Sequence, residues 1–342
     1  MAIRKDSAER PRIDTVSPQA AIAGGEIHIR GRGLAGVDRP RVLLGEVPAR
    51  VVIGSESFVV VRVPEGVSAD KLTIGNGGRS PASWRCALGV QIAEGVHAVS
   101  NPVVDADGNI YTTFSGSRGQ KTPVAVFKIG RDGSVKPFIS DLMNATGLAF
   151  DRQGWLYISS RHDGIVYRAA PDGSLTVHVE GMGVATGMAF DSEGNLLVGD
   201  RSGTIFKISP DRQIYVFATL EPSISAYHMA FGLDGYLYVT GPTTSSNDSV
   251  YRVSPAGDPE LFYQGLGRPQ GLAFDAEGRL YVAASMGGRK GVVRVTPGSA
   301  PELFVSGPGI AGLAFMENGS MILATTNLLY RLDVGIQGKP LF

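Results

Sequence analysis

The chain has 342 residues, enough for two domains with separate cores, and 43% of them are hydrophobic, which excludes wholesale disorder. Lys plus Arg and Asp plus Glu both number 32, so no global basic field would hold the protein on nucleic acid or an anionic membrane, and neither is expected as a partner. A single cysteine excludes an intramolecular disulfide and a thiolate zinc site, while 46 Gly and 20 Pro without a G-X-Y period point to many short strands joined by tight turns.

Residues 1–12 begin Met1-Ala2-Ile3-Arg4-Lys5-Asp6 and carry no strand pattern, so a flexible tail is expected. They lack the apolar run of a signal peptide, and no apolar stretch of about 18 residues follows anywhere; the expectation is a soluble, cytoplasmic protein.

Residues 13–88 read as a first domain. Ile13–Ser17 runs into Pro18, and Glu26-Ile27-His28-Ile29-Arg30 alternates with period two. Arg41–Leu44, Ala49–Val52, Phe58–Val63, Leu72–Ile74 and the stretch around Trp84 complete about seven short strands, the pattern of a small immunoglobulin-like sandwich. Cys86 sits in the last of these and reads as a small core residue rather than a reactive thiol. Arg30, Arg32, Arg39 and Arg41 read as solvated surface rather than a nucleic-acid patch. Residues 89–97 are either a linker or, through Val90–Gly95, a strand that clasps the end of the chain.

From residue 98 to 342 the sequence repeats. Thr146-Gly147-Leu148-Ala149-Phe150-Asp151 returns as Thr186–Asp191, Tyr227–Phe231, Gln270–Asp275 and Ala311–Phe315, with Ser100–Asp105 as a diverged first copy. Equivalent positions 101, 147, 187, 228, 271 and 312 are 46, 40, 41, 43 and 41 residues apart, the length of one four-stranded propeller blade. In each copy a small-apolar inner strand leads to a turn with Gly at 108, 154, 194, 235, 278 or 319, which supplies positive φ. A second strand such as Leu156-Tyr157-Ile158, a third such as Val166-Tyr167-Arg168 and an outer fourth such as Tyr215-Val216-Phe217 follow. The fold expected is all-β, an immunoglobulin-like sandwich followed by a six-bladed β-propeller. Closure is open at this level: Lys339–Phe342 could be the last outer strand, or Val90–Gly95 could supply it.

The phrases PRIDTVSPQAAIAGGEIHIRGRGL and KLTIGNGGRSP resemble the IPT/TIG family over most of residues 11–88, which implies a spacer or interaction module. RPQGLAFDAEGRLYVAAS and ATGMAFDSEGNLLVGDRSGTIFKIS resemble NHL repeats and the senescence-marker-protein/gluconolactonase-like propellers over residues 98–342. The latter resemblance implies lactone hydrolysis with one divalent metal at the channel mouth. Its Glu, Asn and Asp ligands would fall at Ser100, Tyr227 and Gln270, which supply no carboxylate for a calcium-like ion. No cofactor is therefore expected; calcium belongs only to the hydrolase alternative.

Inner strands start, and second strands end, at one face. Asn101, Thr146, Arg161, Thr186, Arg201, Tyr227 and Gln270 gather there as candidate ligand-binding residues, a polar set suited to a small polar ligand or a protein partner. His228 stands where other repeats carry Gly, and its side chain is expected to enter the channel, as a funnel filler or a site residue. Asp200 follows a second strand and either ties down its loop or acts on a ligand. The reading is a binding propeller; the alternative is a hydrolase of lactones or esters with a rebuilt catalytic pair, His228 and Asp200. Enzymatic activity is left open. His28, His97, His162 and His178 have no metal-ligand spacing and read as surface or core. The Ser/Thr-rich loop 241–249 is a lid or a tolerated insertion.

Overall fold

The computed structural model describes residues 10–36, 39–77, 80–117 and 119–340. Residues 1–9 of the expected tail, Arg118 of the expected rim, and Leu341 and Phe342 of the expected last strand lie outside the described residues. Strands and turns account for all regular structure among the described residues, and no helix there is long and apolar enough to cross a membrane. The chain divides into two compact units: 1–90 with 303–308 and 332–334, and 91–302 with 309–331 and 335–342.

The first unit is the immunoglobulin-like one. Its strands run Arg12–Ser17, Glu26–Arg32, Phe58–Arg62, Val47–Gly54, Arg41–Leu44, Lys71–Gly75, Ala82–Arg85 in hydrogen-bonded order. Val47–Gly54 pairs with Arg41–Leu44 through Val42↔Ala49 and with Phe58–Arg62 through Val51↔Val61, with a register shift between Val51 and Ile53. Period-two patterning does what it should: Ile27, Ile29, Val59, Val61, Leu72 and Ile74 are buried in one core. Cys86 joins that core, and burial pushes its thiol up to about 12, so it is an inert apolar side chain. Arg30, Arg32, Arg39 and Arg41 are exposed, Arg30 lying 4.6 Å over the Phe58 ring. A short strand that sequence patterning missed, Ala20–Ala21, pairs in parallel with Ala87–Leu88 and with Val305–Ser306. Ser306 Oγ also accepts the Glu26 N–H at 2.8 Å.

The second unit is a propeller arrangement of sheets. Four repeats give four-stranded sheets in chain order, for example Ala145–Phe150, Leu156–Ser160, Val166–Ala169 and Leu175–Val179. A fifth four-stranded sheet holds Ile310–Phe315, Ser320–Thr325, Leu328–Asp333 and Val90–Glu94. The fifth repeat contributes Leu272–Phe274, Leu280–Met286, Arg289–Val295 and Glu302–Ser306 as neighbours in that order, so the outer strand expected at Glu302–Phe304 forms; by its contacts the segment 303–308 groups with the first unit. Lys339–Phe342 as last outer strand is corrected. Val90–Glu94 occupies that place, and the chain after Gly335 turns back instead. Ala276 N–H bonds Gln337 O at 2.9 Å, and Lys339 N–H bonds Phe274 O at 3.0 Å.

Inner strands touch in cyclic order: Val103–Val104, Ala145–Phe150, Ala185–Phe190, His228–Phe231, Leu272–Phe274, Ile310–Phe315, and back to Val103–Val104. Two devices hold these seams. Near the axis backbone meets backbone. A Cβ on Gly147 would run into the Thr186 carbonyl, and one on Gly312 into the Ser100 carbonyl, 2.6 Å from Asn101 Cα. Farther out, a second-strand Tyr meets the inner-strand Phe of the next repeat edge-to-face: Tyr111–Phe150, Tyr157–Phe190, Tyr238–Phe274 and Tyr281–Phe315, with centroids 5.3, 5.0, 4.8 and 5.1 Å apart.

In four repeats the hairpin is pinned by an aspartate that follows the inner strand, Asp105, Asp151, Asp191 or Asp275. Asp151 Oδ1 accepts the N–H groups of Gln153 and Trp155, both at 2.9 Å, and Arg168 reaches its Oδ2 at 3.4 Å. Asp275, fully buried, accepts from Glu277 and Arg279 N–H and from the Tyr281 hydroxyl at 3.0 Å.

Gly312→Ala is therefore expected to destabilise the second unit by about 3 kcal/mol or more, because the obstacle is backbone on the neighbouring repeat and cannot rotate away. Urea unfolding of the two proteins measures it; equal midpoints would mean that the seam is not closed by this contact.

Candidate functional site

Strand register places the expected residues on one edge of the sheets. Ala145 faces Ser160, Ala185 faces Asp200, His228 faces Thr240 and Ile310 faces Thr325, so each inner strand starts beside the end of its second strand. Most polar groups gathered here are committed to joining repeats. Ser100 Oγ donates to Thr146 O, Ser159 Oγ to Thr186 O, and Thr240 Oγ1 to Gln270 O at 2.5 Å. Thr146 Oγ1 donates to Asn144 O at 2.9 Å. Thr186 Oγ1 donates to Gly199 O at 2.8 Å and accepts from Tyr227 N–H at 3.1 Å. Asn101 bridges two repeats at once, its Nδ2 donating to Leu272 O at 2.8 Å and its Oδ1 accepting from Leu313 N–H at 3.1 Å.

Tyr227 is a core residue. Its ring is wedged against Gly241, where a Cβ would lie 2.5 and 2.6 Å from the ring carbons, and its hydroxyl donates to Glu221 O. Burial pushes that hydroxyl up to about 12. Arg161 is half-buried and donates to Gly116 O at 2.8 Å. Arg201 is exposed and Gln270 half-buried; among the described residues neither side chain has a hydrogen-bond partner.

Among the described residues no hydrogen bond or ion pair joins Asp200 to His228. Asp200 Oδ1 accepts the Val184 N–H at 2.8 Å, and its Oδ2 accepts from the Ser202 hydroxyl. The carboxylate ties its own loop to the segment that leads into the inner strand. His228 is fully enclosed, and burial alone pulls its imidazole down to about 4, with no carboxylate near enough to pull the other way. Its ring has no hydrogen-bond partner among the described residues. Local geometry shows how a large side chain replaces Gly. The inner strands with Gly147, Gly187 and Gly312 break register there, whereas His228–Phe231 pairs without a shift.

Loop 241–249 is knit to itself: Thr243 donates through N–H and Oγ1 to Asp248 Oδ1 at 3.1 and 2.6 Å, and Ser223 Oγ holds Pro242 O at 2.9 Å. A divalent metal at the gluconolactonase positions does not fit the residues present. The Ser100 and Tyr227 hydroxyls are engaged with carbonyls, and Gln270 offers an amide. Among the described residues no three His, Cys, Asp or Glu side chains are grouped to hold an ion.

Sequence reasoning missed Ser159, Thr240 and Asn144 as ring-joining or loop-joining residues. Asn144, with φ of 49° and no exposure, holds Gly116 O, Ser117 O and Gly119 N–H at 2.9, 3.0 and 2.8 Å.

Residues 11–83 match the IPT/TIG domain family, so the first unit is an IPT/TIG domain of immunoglobulin-like fold. No curated protein matches the chain. Solved structures do. An auxiliary nutrient binding protein from Bacteroides ovatus is 12% identical with a TM-score of 0.55, covering 94% of this chain and 98% of its own. A gluconolactonase from Xanthomonas campestris is 16% identical with a TM-score of 0.59, covering 72% and 89%. A catalytically inactive virginiamycin B lyase variant from Staphylococcus aureus, solved with quinupristin, is 14% identical with a TM-score of 0.53, covering 96% of each chain. At these identities the likeness is one of fold, a propeller arrangement of sheets.

Proposed function

We propose that the second unit is a six-repeat binding propeller that takes a polar small molecule, or a protein partner, on the edge where its inner strands begin. The observation that carries this reading is the state of the presumptive catalytic pair. Asp200 has both oxygens engaged, one by Val184 N–H and one by the Ser202 hydroxyl, and His228 is neutral, enclosed and without a carboxylate. A general base needs a proton acceptor near the working pH and within reach of substrate. Neither group qualifies. Arg201 and Gln270 keep their side-chain hydrogen-bonding capacity and are the groups suited to a polar ligand. Likeness over nearly the whole chain to a nutrient binding protein of Bacteroides supports the same reading.

The gluconolactonase likeness supports a second reading, hydrolysis of a lactone or ester, with a divalent cation required only there. The two separate in one experiment. A thermal-shift and calorimetric screen of sugars, lactones and divalent ions against the purified protein is expected to return a binder that is recovered unchanged. Arg201→Ala or Gln270→Ala should weaken it about tenfold, equivalent to about 1.4 kcal/mol. Lactone turnover by the native protein that disappears in His228→Ala would replace the binding reading with the hydrolytic one.

His228 also sets a pH dependence. Its folded value of about 4 lies below the unfolded imidazole value of about 6.5, so acid protonates the unfolded chain first. The stability is complete above pH 6.5 and falls as pH drops from there towards 4, by at most about 1.4 kcal/mol per pH unit from this group. His178, half-buried and pulled down to about 4 by burial, acts in the same direction. Unfolding free energies at three pH values in that window should show a smaller acid loss in His228→Gln than in the native chain.

A further inference from the structure

Within each seam of the second unit the same two positions meet: the second-strand residue three after the turn Gly, and the inner-strand residue three after the ring position. Tyr111 with Phe150, Tyr157 with Phe190, Tyr238 with Phe274 and Tyr281 with Phe315 fill them with two rings. Leu197 with Phe231 keeps one ring. The closing seam, where the last repeat meets the first, has Ile322 with Val104 and no ring. Met316 takes the place that Asp105, Asp151, Asp191 and Asp275 hold in their repeats, which adds an apolar side chain to this seam.

A cleft of about 560 Å³ opens at that seam, within the range of about 300–1,000 Å³ of ordinary small-molecule sites. Val104, Ile110, Ile129 and Met316 line its apolar part, and Arg131 and exposed Glu317 stand at the rim. Arg131 lies across Gly108, where a Cβ would be 2.6 Å from its Nε, and has no ion-pair partner among the described residues. A second hollow of about 380 Å³ shares Arg131 and adds Lys128 and Lys136 beside it. Asp105, a carboxylate that also lines the cleft, is already engaged with Asn109 N–H, Asn109 Nδ2 and the Tyr111 hydroxyl at 2.8, 2.8 and 3.1 Å.

We propose that this closing-seam cleft is a binding site for a small aromatic carboxylate. The ring takes the volume that the absent Tyr–Phe pair fills elsewhere, and the carboxylate pairs with the Arg131 guanidinium, a planar donor fork matched to it. The site lies at the turn ends of its strands, a place separate from the edge assigned to the polar ligand, so either can fail without the other.

The probe is 2-naphthoate, titrated by calorimetry and by its own fluorescence, with naphthalene-2-carboxamide as the neutral isostere. The expected result is saturable one-to-one binding at submillimolar concentration, at least tenfold weaker for the carboxamide and for Arg131→Ala. Val104→Phe combined with Ile322→Tyr restores the ring pair and should abolish binding while leaving the thermal midpoint unchanged or higher. Arg131→Ala alters an exposed side chain, so its fold is not at stake should the double variant fail to fold. No saturation at millimolar 2-naphthoate, equal binding of the carboxamide, or binding unchanged in Arg131→Ala would each overturn the proposal.

Discussion

The second unit depends on one close approach. At the ring positions the backbone of one repeat lies against the backbone of the next, nearer than any side chain allows, and Gly147, Gly187, Gly271 and Gly312 make that possible. Once the strands are this close, their carbonyls are shut off from water and must find donors on the neighbouring repeat. Ser100, Ser159 and Thr240 supply hydroxyls, and Asn101 supplies a carboxamide. The polar character of the central edge is thus first a consequence of packing. The binding role proposed above for this edge rests on the side chains left over from that packing, Arg201 and Gln270.

His228 tests this logic because it breaks the glycine rule. A side chain there would collide with the next repeat if the strand kept the local irregularity that the glycines share. The strand pairs in regular register instead, and Thr240 beside it carries the inter-repeat bond to Gln270 O. The imidazole ends up enclosed, and enclosure removes its proton at neutral pH. A histidine that looks catalytic in a repeat alignment is made uncharged by the packing that accommodates it.

What the sequence showed well was anything local and periodic. The small-apolar phrase, the turn glycines and the alternating strands of residues 13–88 each follow from spacing alone, and the structure forms strands at the first and last of these and positive-φ turns at the glycines. What it hid was long-range. Asn101 looks like a free amide on a rim until the ring closes and brings Leu272 and Leu313, 171 and 212 residues away, within hydrogen-bonding distance. Ala20–Ala21 is too short and too plain to read as a strand; only Ala87–Leu88 and Val305–Ser306 on either side give it a ladder. Between Val90–Glu94 and Lys339–Phe342 as the last outer strand, composition could not choose. Both are short, and the pairing of Val90–Glu94 with Leu328–Asp333 decides it. Asp200 is the converse: in the sequence it reads as a loop tie or a group acting on a ligand, and the Val184 N–H that it accepts is a partner no local pattern announces.

Repetition also explains why the closing seam differs. Five seams join repeats that follow each other in the chain, and in four of them a Tyr and a Phe have been set against one another at fixed spacing. The sixth joins chain segments that approach from opposite ends, with Val90–Glu94 supplying the outer strand. Strand pairing across that sheet and the buried cluster of Ala93, Val96, Ile110, Ile129, Ile322 and Leu329 hold the ends together without an aromatic pair. A seam fastened by backbone hydrogen bonds tolerates smaller side chains at the Tyr and Phe positions, because less of its cohesion is asked of them. Space at the closure is therefore what the topology permits. An apolar floor beside Arg131, which has no ion-pair partner among the described residues, is what distinguishes that space from a packing defect in the proposal made above.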